Sequence, residues 1–307
     1  MILPTFVVAG APRCGTTSLH YYLRQHPQIC MSAIKEPNFF LFGPDGVPHI
    51  AETPIIRKSI QKLSEYSGLF RPTAATKAIG DASPLYLYTR PTAAQILAVC
   101  GVVQVVCVLR RPADRAWSHF LYALAVSADQ RHAEFAELVD AEIRGGPGYE
   151  PYRTRTHLVR LGRYAEQVRR YQETFGAENV HVLLMEDLGR DRAGSLATIC
   201  RGIGVDDSFA FDLDQRYNPS GIAPDNPFVR RIVRKLTPTV KAVLPPRLAG
   251  RLAEVRMGRA SAVSTEPPPE MDPAVAARIA EWCRDDVDEL AGLIGRDLAD
   301  WQANPAG

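Results

Sequence analysis

The sequence lacks the features of a membrane protein, a disulfide-stabilised protein and a nucleic-acid-binding protein. No run reaches ~18 apolar residues, and the first predicted strand begins so early that no signal peptide fits before it. The 6 cysteines occur singly, without a C-x-x-C pair, as expected for reduced thiols. The 36 Lys and Arg residues nearly balance 34 Asp and Glu residues, so no overall field favours nucleic acid. We expect a cytoplasmic globular protein without stable membrane insertion.

A glycine-containing stretch near the start of the chain is typical of an anion-binding loop. A predicted strand over 5–9 leads into Gly10, and Gly15 precedes a predicted helix over 17–26. The two glycines allow the backbone to turn tightly and to approach a ligand closely. The start of a helix favours negative charge, and three hydroxyl side chains stand there: Thr16, Thr17 and Ser18. The stretch therefore predicts a site for a phosphate-like group.

This loop also lacks two features of the P-loop that binds nucleoside triphosphates. Its G-x-x-x-x-G spacing matches, but Thr16 occupies the position of the P-loop lysine, and the nearby cation is Arg13 within the loop. No acidic residue stands clearly at the end of a following apolar strand to hold Mg²⁺. We therefore expect no metal, and a small-molecule kinase of the P-loop type remains an alternative.

Strands and helices alternate along the chain, which predicts an α/β fold with a mostly parallel, doubly wound, P-loop-like central sheet. The strongest strand pattern covers 103–109. Further helices are predicted over 55–64, 65–70 and 159–175, with a polar turn at 81–84. Residues 1–307 form a single predicted domain. Within it, the basic segment 217–270 is predicted to be a mobile cover over the active site, and 272–301 a C-terminal helix packed on the domain.

A second anion-binding signal follows the strand over 103–109. The strand ends at Arg110, and Ser118 lies on the next predicted helix, 113–126. Ligands of open α/β sheets bind beyond the carboxyl ends of the strands, where both Arg110 and the glycine loop should lie. Two separated anionic groups would satisfy these signals. A nucleotide with phosphates at both ends of its ribose fits this arrangement.

Four stretches of the chain resemble the sulfotransferases that use 3′-phosphoadenosine 5′-phosphosulfate (PAPS), in the branch that contains heparan sulfate and many bacterial sulfotransferases. They are residues 11–19, 35–40, 106–118 and 295–301. The resemblance extends over about residues 5–301. It implies in-line transfer of the sulfuryl group from PAPS to a hydroxyl or amine of a small-molecule, glycan or lipid acceptor, with the bisphosphate PAP as product and no metal.

The resemblance also implies a role for individual residues. The 5′-phosphosulfate loop comprises Arg13, Cys14, Gly15, Thr16, Thr17 and Ser18, and the 3′-phosphate site comprises Arg110 and Ser118. Arg13 would also stabilise charge in the transition state. Glu36 would be the general base, with its pKa raised by burial near Phe39 and Phe40. A nucleotide-binding protein without catalytic activity is a further alternative, against which Glu36 argues.

Two positions depart from the pattern of these sulfotransferases. Arg13 stands where many members have lysine, so the charge is kept but its geometry changes. Asp81-Ala82 stands where heparan-type members often have Glu-Lys, so a lysine near the acceptor is missing. This second departure leaves specificity for a polysaccharide open, although Lys35 could supply a cation instead.

Overall fold

The computed structural model describes residues 1–126, 134–146, 148, 150–153, 156–214 and 269–302. At residues 125 and 126 it describes the main chain only. Within these residues one sheet contains five strands: β1 (Phe6–Gly10), β2 (Ile29–Met31), β3 (Ala78–Ala82), β4 (Gln104–Leu109) and β5 (Val180–Leu184). They lie in the order β2-β3-β1-β4-β5, and every pairing is parallel. The predicted parallel α/β fold is therefore confirmed.

Helices connect and cover these strands. Those before β4 are α1 (Thr16–Leu23), α2 (Thr53–Ile56), α3 (Leu63–Ser67) and α4 (Thr92–Cys100). Those after β4 are α5 (Pro112–Val126), α6 (Phe135–Arg144), α7 (Ala165–Phe175), α8 (Met185–Arg190), α9 (Arg192–Gly202), α10 (Pro273–Ile294) and α11 (Ala299–Gln302). None of the helices in the described ranges is long and apolar enough to cross a membrane.

The two central strands are buried on both faces. All of β1 is buried, and in β4 every residue after Gln104 is buried. A parallel sheet covered by helices on both faces requires such continuous apolar strands, and both strands meet this requirement. The core of the protein therefore lies around β1 and β4.

The direction of the chain connections reverses between β1 and β4. From β1 the chain passes to β2 on one side, whereas from β4 it passes to β5 on the other. The main chains stay in contact beyond the last strand pair, since Ala11 N–H donates to the Val108 carbonyl at 2.7 Å. Such a reversal opens a crevice at the carboxyl ends of the strands, where α/β proteins bind ligands. The glycine loop and Arg110 flank this crevice.

The C-terminal helix α10 has clear start and stop signals. Asp272 accepts a hydrogen bond from Ala274 N–H at 2.8 Å, Pro273 is the first helical residue, and Gly295 ends the helix with φ 62°. Asp286, in the middle of α10, accepts from the N–H groups of Tyr164 and Ala165 at the start of α7. The carboxylate of one helix thus caps the N-terminus of another.

Several local predictions differ from the structure. The helix predicted over 55–64 is replaced by α2, which ends at Ile56, and the short helix predicted at 65–70 is present as α3, which begins two residues earlier. The helix predicted over 159–175 begins only at Ala165, because the Asp286 carboxylate caps it there. The turn predicted at 81–84 is wrong in its first half, where Asp81 and Ala82 complete β3. The cover predicted over 217–270 lies almost wholly outside the described residues.

Candidate active site

The loop between β1 and α1 ends in a glycine that has no side chain to cap the helix. Gly15 is the N-cap residue of α1, with φ 79°. Thr16 is buried, whereas Thr17 and Ser18 are half-buried. The first N–H groups of a helix have no partner within it, and the helix dipole favours an anion there. This local structure can bind a phosphate or a sulfate, as the glycine pattern predicts.

Gly10 has a different role from the one predicted for it. It is the last residue of β1, and a Cβ placed on it would lie 2.5 Å from the Cβ of Leu87. Its small size therefore allows the segment after β3 to pack against the end of β1. Gly15, in contrast, has the positive φ that the turn into α1 requires. Only the second glycine shapes the loop in the predicted way.

Arg13 connects this loop to helix α5. Its Nε donates to Ser118 Oγ at 3.2 Å, and its guanidinium carbon lies 4.7 Å from the centre of the Tyr122 ring. Burial lowers the pKa of Arg13, and the nearby cations Arg110 and Arg115 lower it further. The guanidinium nevertheless stays protonated at neutral pH. Within the described ranges no carboxylate pairs with it, so an anionic ligand is its natural counter-ion.

The Cys14 side chain points into the protein rather than toward a ligand. It is fully buried, and its Sγ lies 3.8 Å from the hydroxyl of Tyr164. That hydroxyl donates to the main-chain carbonyl of Arg110 at 3.0 Å. Burial raises the pKa of Cys14 to about 11, so the thiol stays protonated. Cys14 and Tyr164 therefore join the glycine loop to the end of β4, and Cys14 can reach a ligand only through its main chain.

The two arginines after β4 have different surroundings. Arg111 forms an ion pair with Asp114 at 2.8 Å, and its N–H donates to Glu186 at 3.3 Å. Arg110 is half-buried and forms no ion pair with any carboxylate in the described part of the chain. An unneutralised cation at the end of a strand suits an anionic group, so the geometry favours Arg110 over Arg111.

Glu36 lies on the other side of β1 from β4. Its N–H donates to the carbonyl of Ala82, the last residue of β3, at 3.1 Å, and its carboxylate forms an ion pair with Lys35. The Glu36 side chain is 45% exposed. The predicted burial of this residue is therefore wrong, because Phe39 and Phe40 turn away and pack against Tyr66 instead.

A buried carboxylate that the sequence patterns did not indicate lies next to the Glu36 segment. Asp81 is fully buried and accepts hydrogen bonds from the hydroxyls of Tyr66 at 2.8 Å, Tyr86 at 2.9 Å and Ser83 at 2.8 Å. Burial raises the pKa of Asp81 to about 6, although these hydrogen bonds and Lys35 oppose the shift. A single acidic residue in a short apolar run, Ala78–Ala82, was the available signal for it.

Asp81 is expected to make the stability depend on pH. With a folded pKa of about 6 and an unfolded pKa of about 3.9, the folded chain binds more protons between these values, so stability falls as pH rises through this window. In the wild-type protein, Asp81 should lower the free energy of unfolding by about 2–3 kcal/mol as pH rises through this window. Asp81→Asn should abolish this decrease. Urea denaturation at several pH values measures the effect.

The control for this prediction is the exposed carboxylate Asp300. Asp300→Asn should have the same pH dependence of stability as the wild-type protein. Burial also raises the pKa of Asp286 to about 6, so Asp81→Asn should keep the pH dependence that Asp286 contributes. A pH dependence that is equal in Asp81→Asn and the wild-type protein would contradict the prediction.

The structure thus places the predicted residues at one edge of the sheet. It brings Arg13 into direct contact with Ser118, and Arg110 lies close enough for its charge to lower the pKa of Arg13. Glu36 lies at the same edge, beside β3. The residues that sequence reasoning missed are Asp81 and Tyr164. These features define an α/β protein with a positively charged anion site at the crevice between β1 and β4.

Comparison with known proteins identifies the family. The sulfotransferase domain matches residues 3–215, so the chain belongs to the sulfotransferase family of enzymes. A sulfotransferase from Alicyclobacillus acidocaldarius has a similar crystal structure, with 26% sequence identity and a TM-score of 0.71 over 99% of this chain and 100% of that one.

Two curated relatives share part of their length with this chain. The membrane-associated sulfotransferase kil1 of Dictyostelium discoideum is 27% identical over an alignment of 175 positions that covers 53% of this chain and 34% of that protein. Heparan sulfate glucosamine 3-O-sulfotransferase 6 of Homo sapiens is 26% identical over 202 residues, 66% of this chain and 52% of that protein. The chain thus spans about a third to a half of these relatives, and the predicted family is confirmed.

Proposed function

We propose that the protein transfers the sulfuryl group of PAPS to a hydroxyl or amine acceptor. The observation that carries the proposal is the hydrogen bond between Arg13 and Ser118, which joins the loop after β1 to the helix after β4. Membership of the sulfotransferase family supports it. We call this loop and this helix, joined by the hydrogen bond, the clamp. A ligand with anionic groups at both ends of a ribose would contact both parts of the clamp.

Each residue has a defined part in the proposed binding. The loop 13–18 holds the 5′-phosphosulfate with Arg13, the first N–H groups of α1 and the Thr and Ser hydroxyls. Arg110 and Ser118 hold the 3′-phosphate. Among the described residues Arg110 has no carboxylate partner, so it is available for this phosphate, whereas Arg111 forms an ion pair with Asp114.

The proposed reaction is an in-line displacement at sulfur. The acceptor oxygen or nitrogen forms a bond to sulfur while the bond between sulfur and the bridging oxygen of the 5′-phosphate breaks. The electron pair of that bond stays on the departing PAP, where Arg13 stabilises the growing charge. Glu36 takes the proton from the acceptor. The Glu36 side chain is 45% exposed, so an acceptor that enters from solvent can reach its carboxylate.

Calorimetric titration without Mg²⁺ tests the choice of nucleotide. We expect adenosine 3′,5′-bisphosphate to bind and ATP to bind weakly, because Thr16 replaces the P-loop lysine. Tighter binding of ATP with Mg²⁺ than of the bisphosphate would favour the kinase alternative and would overturn the proposal.

Arg110→Ala is expected to weaken binding of the bisphosphate by about 10–100-fold, because a charge-assisted contact to a phosphate contributes roughly 1.5–3 kcal/mol. The matched control is Arg111→Ala, which removes the adjacent arginine and its ion pair with Asp114. This control should change the dissociation constant by less than about threefold. Equal losses in the two variants would mean that the 3′-phosphate is misplaced in the proposal.

The acceptor is best identified with labelled PAPS. We propose a small-molecule, glycan or lipid acceptor with a free hydroxyl or amine. A panel of these classes, incubated with ³⁵S-labelled PAPS, should show transfer of label to one class. Transfer to none of them, together with failure to bind the bisphosphate, would contradict the proposed activity.

A further inference from the structure

The segment that carries Glu36 has a strained backbone. Glu36 and Asn38 have φ values of 59° and 56°, in the left-handed region that residues other than glycine rarely adopt. Asparagine tolerates this conformation better than glutamate does. Such strain persists only where the surrounding structure holds the segment in place. The hydrogen bonds of the segment therefore decide where the Glu36 carboxylate lies.

Two of these hydrogen bonds lead to one carboxylate. Asn38 N–H donates to Ser83 Oγ at 3.2 Å, and Ser83 donates in turn to Asp81 Oδ1 at 2.8 Å. Phe40 N–H donates to the Tyr86 hydroxyl at 3.3 Å, and Tyr86 donates to Asp81 Oδ2 at 2.9 Å. Both hydroxyls thus stand between the segment and Asp81.

An ionised carboxylate determines the direction of both chains of hydrogen bonds. A hydroxyl has one hydrogen, and a carboxylate only accepts, so Ser83 and Tyr86 must give their hydrogens to Asp81. Their lone pairs then face the N–H groups of Asn38 and Phe40. An amide in place of Asp81 could donate to one hydroxyl and turn its hydrogen toward the segment. The negative charge of Asp81 is therefore what prepares both hydroxyls to hold the segment.

We propose that Asp81 is a positioning residue for Glu36 and acts through the hydroxyls of Ser83 and Tyr86. This inference rests on the proposed function, since it assigns Glu36 the role of general base. Asp81 is buried and does not touch the substrates in this assignment. It affects the reaction by holding the main chain of residues 36–40 in place.

Hydrogen exchange tests the geometry without a substrate. Ser83→Ala should lower protection of the Asn38 amide, and Tyr86→Phe should lower protection of the Phe40 amide, each by roughly 5–10-fold for one lost hydrogen bond. The matched control is Tyr66→Phe, because the Tyr66 hydroxyl donates to Asp81 Oδ2, as the Tyr86 hydroxyl does, but accepts no hydrogen bond from the segment. An equal loss of protection in the control would overturn the proposal.

Kinetic measurements in the wild-type protein and in the Glu36→Gln variant distinguish a positioning role from a general structural effect. The measured rate is release of PAP from PAPS with water as the acceptor. In the wild-type background Ser83→Ala should lower kcat by about tenfold and change KM for PAPS by less than about twofold, because a small displacement of a catalytic group is costly. In a Glu36→Gln background the same substitution should have almost no further effect. Ser83→Thr, which restores a hydroxyl, should recover part of the rate.

The outcomes distinguish this inference from the proposed function. If the wild-type protein neither binds the bisphosphate nor releases PAP, the proposed function fails, and the positioning role falls with it. If the wild-type protein is active but the losses from Ser83→Ala and Glu36→Gln multiply, the function stands and the inference is wrong. A loss that disappears in the Glu36→Gln background supports the inference.

Discussion

Glu36→Gln is expected to lower kcat for sulfuryl transfer by about 10²–10⁴-fold, the usual contribution of a general base, and to leave affinity for the bisphosphate within about twofold. The substitution keeps the shape of the side chain and removes the carboxylate that would accept the proton. Glutamine has the same unbranched side chain as glutamate, so the backbone strain at φ 59° stays nearly the same. The rate is measured with ³⁵S-labelled PAPS and the acceptor that gives the highest transfer, and affinity is measured by calorimetry.

The control for Glu36 is Glu65→Gln. Glu65 is an exposed carboxylate on α3 that pairs with Lys62, so its loss should leave kcat unchanged. If Glu36→Gln retains the full rate, another group must take the proton. If the wild-type protein binds the bisphosphate but transfers no label, the alternative of an inactive nucleotide-binding protein is correct.

Arg13→Ala is expected to lower kcat/KM by about 10²–10³-fold, the range found when one donor to a developing negative charge is removed. Arg13 is held by Ser118 and by the Tyr122 ring, so its charge is already in position before the reaction begins. Arg13→Lys keeps the charge and should be milder, with a loss of roughly tenfold, because the planar fork and its contact with the ring are lost. Steady-state kinetics with PAPS as the varied substrate measure both variants.

The control for Arg13 is another arginine, Arg24. Arg24 is exposed near the end of α1, and Arg24→Ala should change kcat/KM by less than about threefold. Thermal unfolding of each variant checks that the fold is intact. A rate for Arg13→Ala within a few fold of the wild-type rate would show that the loop binds nucleotide without stabilising the transition state.

The sequence predicts the elements that hold the two ends of the proposed clamp. The apolar run over 103–109 and the glycine loop are strong local patterns, and the structure contains β4 and the β1–α1 loop there. Short or irregular elements were predicted less well. The three-residue β2 and the small helices α2 and α3 have too few residues for a clear period, and their positions depend on packing against neighbours.

The environment of individual side chains was also beyond prediction. The sequence places Phe39 and Phe40 beside Glu36, but in the structure these rings pack against Tyr66 and leave Glu36 exposed. Asp81 reads as part of a polar turn in the sequence, yet three hydroxyls brought from two separate segments surround it in the core. Neighbours in sequence do not have to share an environment.

By itself, the sequence determined the class of fold, the loop with Arg13 and the later arginine and serine of the proposed nucleotide site, because these depend on local composition and spacing. Tertiary structure alone decided that Arg13 contacts Ser118, that Cys14 faces Tyr164, and that Asp81 lies beneath the Glu36 segment. The physical reason is that burial, and the hydrogen bonds a buried polar group then requires, are set by which distant segments the packed sheet brings together.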